Sequence, residues 1–348
     1  MNTEESSPLV SIVVGVRNME TTIGPCIESL LAQNYPSKEI IIIDDGSSDK
    51  TSTIIQNYPV RLITTEKRGI SHARNLGYLQ AQGEYVAYTD ADCTVAPDWL
   101  SVMMPHFQNS EIALIGGTTI FQTDGSLSSV YRQIEFEKRN QNVPEGEVNW
   151  AGGPGCVFRK KVLEELGGFN PKWEHGEDAE ISFMIAEKGY KIIKEPLAVS
   201  YHIPEKGFKR LLKKGYRDGS AYVRATLFHM RKSLQNRFNT TWYLPYDVVF
   251  QPILYALLIL GWPLLALLQY FFTSFIFSVL TFISLGLFLF LFLYSFLPAV
   301  TVSRKTPPHQ SKFKFFLGSA SLHTLRGFAW GLGLILGTIK AIKFKITS

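Results

Sequence analysis

The 348 residues carry 35 Lys/Arg against 30 Asp/Glu, a net charge of +5, with 46% hydrophobic and 19% charged side chains. That balance excludes a disordered chain, and three scattered cysteines, Cys26, Cys93 and Cys156, exclude a disulfide framework and read as reduced packing residues. The averages conceal a partition, because charged and apolar residues mix up to about Arg237 as in a soluble α/β domain, while Val248 to Ser303 holds no charged side chain.

The N-terminus, MNTEESSPLV, has neither a basic n-region nor an apolar h-region, so no secretory signal is expected and the first domain is expected to stay in the cytosol. Leu9 to Val16 predicts a first strand, Thr22 to Gln33 a helix with Ile23, Ile27, Leu30 and Leu31 on one face, and Glu39 to Ile43 a second strand. Unbroken β-branched runs followed by helical patterns indicate a parallel sheet covered on both faces. Such a sheet binds ligands beyond the carboxyl ends of its strands, which directs attention to the residues after each one.

After the first strand come Asn18 and Glu20, and after the second comes DDGSSDKT, Asp44 to Thr51. A capped turn accounts for Gly46, the serines and Asp49 but leaves the consecutive acids Asp44 and Asp45 unexplained, unless one accepts hydrogen bonds from a base or a ribose. KRGISHARNLG, Lys67 to Gly77, opens a helix with Arg68 before it and Arg74 a turn inside. Arginine suits bidentate contact with phosphate or carboxylate, and surface ion pairs account equally well for both. YVAYTDADC, Tyr85 to Cys93, is an apolar run ending in Asp90 and Asp92, two carboxylates one residue apart that point to the same side of a strand and can reach a hard divalent cation. Further on, the glycine-rich WAGGPGCVFRK places Gly152, Gly153 and Gly155 where backbone can approach a ligand closely, and Glu177 and Asp178 occupy the first turn of a helix.

Lys206 to Arg237 holds ten Lys/Arg against one acid, Asp218, immediately before the uncharged run, where the positive-inside rule places cytosolic residues. The 56 uncharged residues from Val248 to Ser303 suit two membrane helices, about 248–270 and 275–300. A shorter third apolar segment, about 316–342, is expected to contact the membrane as a short span, a re-entrant piece or an interfacial helix.

Taken together, these motifs resemble those of the family 2 glycosyltransferases, over roughly residues 9–205 and in the family's order. The resemblance implies an α/β GT-A fold, a Rossmann-related mixed sheet with helices on both faces, followed by C-terminal transmembrane helices. It implies a cytosolic catalytic domain at 1–205, a basic amphipathic juxtamembrane segment at 206–246 and a membrane domain at 247–348, with the protein in the cell membrane and its catalytic domain facing the cytoplasm. By resemblance, Asn18, Glu20, Asp44 and Asp45 line the nucleoside pocket, Arg68 and Arg74 lie beside the nucleotide, and Asp90 and Asp92 hold the ribose and a Mg²⁺ or Mn²⁺ ion. His202, after a later strand, completes the metal site, although a lone histidine there is more often structural. Asp178, with Glu177 beside it, is the general base, and Gly152, Gly153 and Gly155 shape the acceptor site. The expected donor is a nucleotide sugar, UDP by family habit. The expected acceptor is lipid-linked or a saccharide at the lipid surface, and no nucleic-acid partner is expected. The Gln-x-x-Arg-Trp motif of the processive polysaccharide synthases is replaced by GFKRLLKKGYRDGSAY, which favours single addition over polymerisation. A processive synthase and a non-catalytic scaffold remain the alternatives.

Overall fold

In the computed structural model, residues 7–141, 145–148, 150–173, 176–203 and 207–228 are described, and beyond them 255–257, 261, 267, 275–294, 299–301, 304 and 311–347. The chain divides into two compact units: residues 1–122, 140–203 and 234–243 form the first, and 123–139, 204–233 and 244–348 the second.

In the first unit, the Val/Ile run of β1 (Val10–Val16) leads into α1 (Ile23–Leu31), β2 (Lys38–Asp45), the short α2 (Thr51–Ile55), β3 (Arg61–Thr65), α3 (Ile70–Gln80) and β4 (Tyr85–Asp90). β1 pairs in parallel with β2 and β4, and β2 with β3, as uninterrupted apolar runs require when helices cover both faces. Alternation sorts β1 between two cores. Val10, Ile12, Val14 and Val16 pack with Ile23, Ile27 and Leu30 of α1, while Val13 packs with Ile41, Ile43 and Ala73. Gly77 of α3 lies so close to Val13 that a methyl group there would overlap it, so glycine sets the distance between helix and sheet.

The other half of the sheet is mixed. After β5 (Cys93–Val95), α4 (Trp99–Met103) and a 3₁₀ turn (Met104–Gln108) comes β6 (Ile112–Phe121), and β7 (Gly146–Val148), β8 (Cys156–Arg159) and β9 (Lys191–His202) follow it. The order is β3-β2-β1-β4-β8-β6-β9-β5, with β7 also on β9. β8 runs antiparallel to both β4 and β6, and β5 antiparallel to β9, so the end of β9 returns to the end of β4. The helix over residues 127–141, α5 (Leu127–Gln141), leaves the sheet between β6 and β7, and α6 (Lys160–Leu166) and α7 (Glu177–Glu187) follow β8.

The second unit contains most of α5, α8 (Phe208–Phe228), α9 (Phe275–Tyr294) and α10 (Lys312–Thr347). Residues 123–139 belong to it because Val130, Tyr131 and Ile134 bury their side chains with Leu211 and Leu322. α8 and α10 approach closely through glycines spaced four apart. Gly215 faces Arg326, Gly219 faces Trp330, Gly333 faces the Tyr216 carbonyl, and Gly337 faces Ser220. Small residues at that spacing let two helices approach closely.

Among the described residues no helix is long and apolar enough to cross a membrane. The expected first span, 248–270, lies almost wholly outside them, and of the second, 275–300, residues 275–294 form α9 while 295–298 lie outside them. The third segment, expected at 316–342, belongs to the longer α10.

Candidate active site

In register, Val16 at the end of β1 pairs with Asp44 of β2, and Gly15 with Asp90 of β4. Asp44 and Asp90 therefore flank the end of the central strand. Gly15 leaves space between them and α3, because a methyl there would press on Ile70 and Ala73.

The first group of expected residues is held by the loops themselves. Asn18 adopts a left-handed φ of 52°, which its short amide tolerates, and its Oδ1 accepts from the Ser48 backbone N–H at 2.8 Å. Glu20 Oε2 accepts from the Lys50 N–H at 3.1 Å. Asp44, fully buried, accepts from the Ser47 N–H at 2.9 Å and hydroxyl at 2.6 Å, and from the Ser52 hydroxyl. Asp45 accepts from the backbone N–H groups of Arg68 at 2.7 Å and Gly69 at 2.9 Å. These bonds give Asp44 and Asp45 the structural explanation that a capped turn alone lacked. Both acids pin the loops at the rim, and Asn18, Glu20 and Arg68 are exposed there.

Arg74 and Arg68 part company. Arg74 is 7% exposed, its guanidinium packed over Tyr88 and Phe169. Its Nη1 donates to Glu177 Oε1 at 2.6 Å and its Nη2 to Asp90 Oδ1 at 3.3 Å. Of the two possibilities open in the sequence, the structure gives Arg74 the ion pair, but a buried one.

Asp90 and Asp92 meet His202 because Cys93 and His202 are directly paired across β5 and β9. One ligand atom from each of Asp90, Asp92, Cys93 and His202 falls within 4.8 Å of the others. His202 Nε2 lies 3.6 Å from Asp92 Oδ1, while its Nδ1 lies 2.7 Å from the Ile203 carbonyl oxygen, and the ring stacks on Phe121 at 4.6 Å. A carbonyl only accepts, so Nδ1 is the donor to it, and Nε2 is the ring nitrogen that faces the carboxylates. Two carboxylates and an imidazole so arranged fit Mg²⁺ or Mn²⁺.

Asp178 lies in the first turn of α7, where Gly176 enters with φ 79°. Its Oδ1 accepts from the Ala179 N–H at 2.8 Å. Burial, with the charge of Glu177 added, pushes its carboxyl up to about 6 against the opposing pull of Arg74. A methyl on Gly152 would lie 2.7 Å from Asp178 Oδ2, so the glycine-rich loop passes directly over this carboxylate. Ser182 ties the two together, its hydroxyl donating to the Ala151 carbonyl at 3.0 Å. Gly153 and Gly155 both take positive φ, and Gly155 packs against Ser200 and Trp99.

Residues the sequence did not single out also shape the site. Phe121 and the Ile203 carbonyl fix the His202 ring, and Cys93 Sγ lies 3.7 Å from Asp92 Oδ1. The signal for Cys93 was its position directly after Asp92. Phe121 left none, because it comes from a strand remote in sequence.

Residues 11–167 match the model of Glycosyl transferase family 2. The chain is 26% identical over 239 residues to Glycosyltransferase AglE of Haloferax volcanii, covering 66% of this chain and 78% of that protein. It is 31% identical over 209 residues to poly-beta-1,6-N-acetyl-D-glucosamine synthase of Staphylococcus epidermidis, and spans only 50% of that relative's length. Among solved structures it resembles the mannosyltransferase PcManGT from Pyrobaculum calidifontis in complex with GDP-Man and Mn²⁺, with a TM-score of 0.55 and 18% identity over 96% of this chain and 87% of that one. At that identity the likeness is one of fold, and it agrees with a GT-A-like mixed sheet.

Proposed function

We propose that this chain, whose residues 11–167 match the model of Glycosyl transferase family 2, transfers a sugar, with inversion, from a nucleotide-sugar donor, a UDP-sugar in the first instance, to a membrane-associated acceptor. The observation that carries the reading is the convergence on one buried guanidinium: Arg74 binds Asp90 of the candidate metal group and Glu177, the neighbour of Asp178.

Asp178 is the base. Held near a pKa of 6, it is ionised at neutral pH yet basic enough to accept the acceptor hydroxyl's proton as that oxygen attacks the anomeric carbon. Gly152 leaves it uncovered by any side chain of its own. Asp90, Asp92 and His202 would hold a Mg²⁺ or Mn²⁺ ion, which when bound offsets the charge developing on the departing diphosphate. Asn18, Glu20 and Arg68, at the exposed rim beyond β1 and β2, face the nucleoside. One base and direct attack give inversion.

The membrane part of the proposal rests on the uncharged run of residues 248–303 and on α9, where Phe282 is 74% and Ile283 62% exposed, surfaces too apolar to face water. The basic residues around α8 suit an anionic lipid surface on the cytoplasmic side. Identity to a poly-N-acetylglucosamine synthase favours a second reading, a processive synthase. Against it stands GFKRLLKKGYRDGSAY in place of Gln-x-x-Arg-Trp, and the length of the product separates the two.

The test is nucleoside diphosphate release from a panel of UDP- and GDP-sugars by the detergent-solubilised protein with Mg²⁺ or Mn²⁺, beside Asp92→Ala. Metal-dependent release from one donor, lost in the variant, supports the reading. A protein that binds nucleotide and turns over no donor contradicts it and favours the scaffold.

A further inference from the structure

Arg74 is placed to join two acids rather than to line a nucleotide pocket. α3 is fastened to the segment leading into α7: Asn75 clamps the Phe169 backbone with Nδ2 on its carbonyl and Oδ1 on its N–H, both at 2.7 Å, and the Ser71 hydroxyl donates to the Trp173 carbonyl at 3.0 Å. The Tyr88 hydroxyl, from β4, donates to the Arg74 carbonyl at 3.2 Å. The backbone that bears Arg74 is thus tied to the strand carrying Asp90 and to the approach to the helix carrying Asp178. From there the guanidinium spans both, with one nitrogen on each acid, in a slot walled by Tyr88 and Phe169. Two terminal nitrogens engaged on carboxylates, at 7% exposure, leave this side chain little surface to offer a nucleotide. A planar fork is the one cationic geometry that holds two carboxylates at a fixed separation; a lysine satisfies one and leaves the other buried with less compensation.

We propose that Arg74 is a positioning residue: by holding Asp90 and Glu177 in one fork, it sets the Asp178 carboxylate relative to the donor-side acids, so that an event at the end of β4 is felt in the first turn of α7. The inference rests on the transferase reading of the site and adds a coupling that the reading does not need. It assigns Arg74 to the catalytic step and not to donor affinity.

The consequence is a split between kinetic parameters. Displacing a catalytic group by about 1 Å can cost 10²-fold in rate, so Arg74→Lys is expected to lower kcat by at least about tenfold and leave donor KM and the nucleoside diphosphate Kd within about twofold. Glu177→Gln, which is isosteric and keeps the Arg74–Asp90 contact, is expected to show the same split. The double variant is expected to fall no further than the worse single one, because both remove the same link. A rise in donor KM or Kd with unchanged kcat in Arg74→Lys would return Arg74 to the nucleotide pocket. Multiplicative losses in the double variant would show that the two residues act separately.

A readout free of turnover keeps the inference distinct from the function. In the wild type, nucleoside diphosphate with Mn²⁺ is expected to slow amide hydrogen exchange over residues 176–187, and in Arg74→Lys to leave it unchanged while the end of β4 is still protected. Equal protection of α7 in both proteins overturns the coupling even if transfer is established. Protection of α7 lost in the variant supports it even if every donor in the panel is the wrong one. Should Arg74→Lys fail to fold, Glu177→Gln carries the same comparison.

Discussion

Replacing Gly152 by alanine tests how tightly the acceptor loop is fitted to the base. The added methyl would sit 2.6 Å from Asp178 Cβ, 2.7 Å from Oδ2 and 2.9 Å from Cγ, all atoms of the carboxylate-bearing side chain. Carbon atoms in contact settle at about 3.5–4.0 Å, so relief needs a shift of roughly 1 Å, and one of the two partners must make it. Asp178 is held by the Ala179 N–H, and the loop by the Ser182 hydroxyl on Ala151. Overpacking of this size costs about 1–3 kcal/mol of stability. If the carboxylate yields, its misplacement lowers kcat by up to about 10²-fold. The assay measures kcat and donor Kd together with the melting temperature. Gly167→Ala serves as the control, because Gly167 caps α6 with φ 76° and open space around it, so alanine there strains the backbone without approaching the site. The expected result is lost kcat with retained donor Kd in Gly152→Ala and a lowered melting temperature alone in Gly167→Ala. Wild-type kcat in Gly152→Ala would refute the placement of this loop over the base.

Four further outcomes follow from the structure. Since the Asp178 carboxyl is pushed up to about 6 and acts ionised, kcat is expected to rise through that pH and to be about tenfold below its plateau at pH 5, with the limb absent in Asp178→Asn; a pH–rate series from 4.5 to 8 reads it. The stability effect has the opposite sense: a carboxyl raised above its unfolded value favours the folded state at low pH, and that contribution fades as pH rises through about 6. His202→Gln, which removes the ring nitrogen facing Asp92, is expected to weaken Mn²⁺ binding by about 10–100-fold in calorimetry while the fold is retained. In the second unit, Gly333→Leu would drive a side chain into the Tyr216 carbonyl oxygen; the contact between α8 and α10 is expected to open and the melting temperature in detergent to fall by several degrees, whereas Gly286→Leu, in open space on α9, leaves it unchanged.

What could be read in one dimension was what local pattern controls. β1, β2 and β4 announced themselves because their apolar runs are unbroken, and α7 because acids crowd its first turn. Asp90 and Asp92 stood out as charges at the end of such a run. The site's other half depends on pairings between remote strands. No local pattern specifies that β5 lies antiparallel to β9 with Cys93 opposite His202, or that Phe121 stacks on that ring. Arg74 was ambiguous for the same reason: the sequence shows an arginine one turn into a helix, and only packing between Tyr88 and Phe169 makes it a buried link between two acids. Asp44 and Asp45 stood out as consecutive acids at a strand end, while the Ser47, Ser52, Arg68 and Gly69 donors that hold them come together only in the folded loops. The paired glycines of α8 and α10 were visible as residues, but their meaning required both helices at once.

The proposed transfer turns on Asp178 taking the proton of the acceptor hydroxyl as the sugar is transferred to that oxygen. Wild type and Asp178→Asn are incubated with the radiolabelled donor that the panel identifies, Mn²⁺ and a polyprenyl-phosphate-linked sugar, whose hydroxyl is the nucleophile, in detergent, and label in the lipid extract is counted while donor Kd is measured in both proteins. The expected result is labelled lipid from the wild type, a loss of about 10²–10⁴-fold in the variant and the same Kd in both. Equal labelling by the two proteins would contradict it.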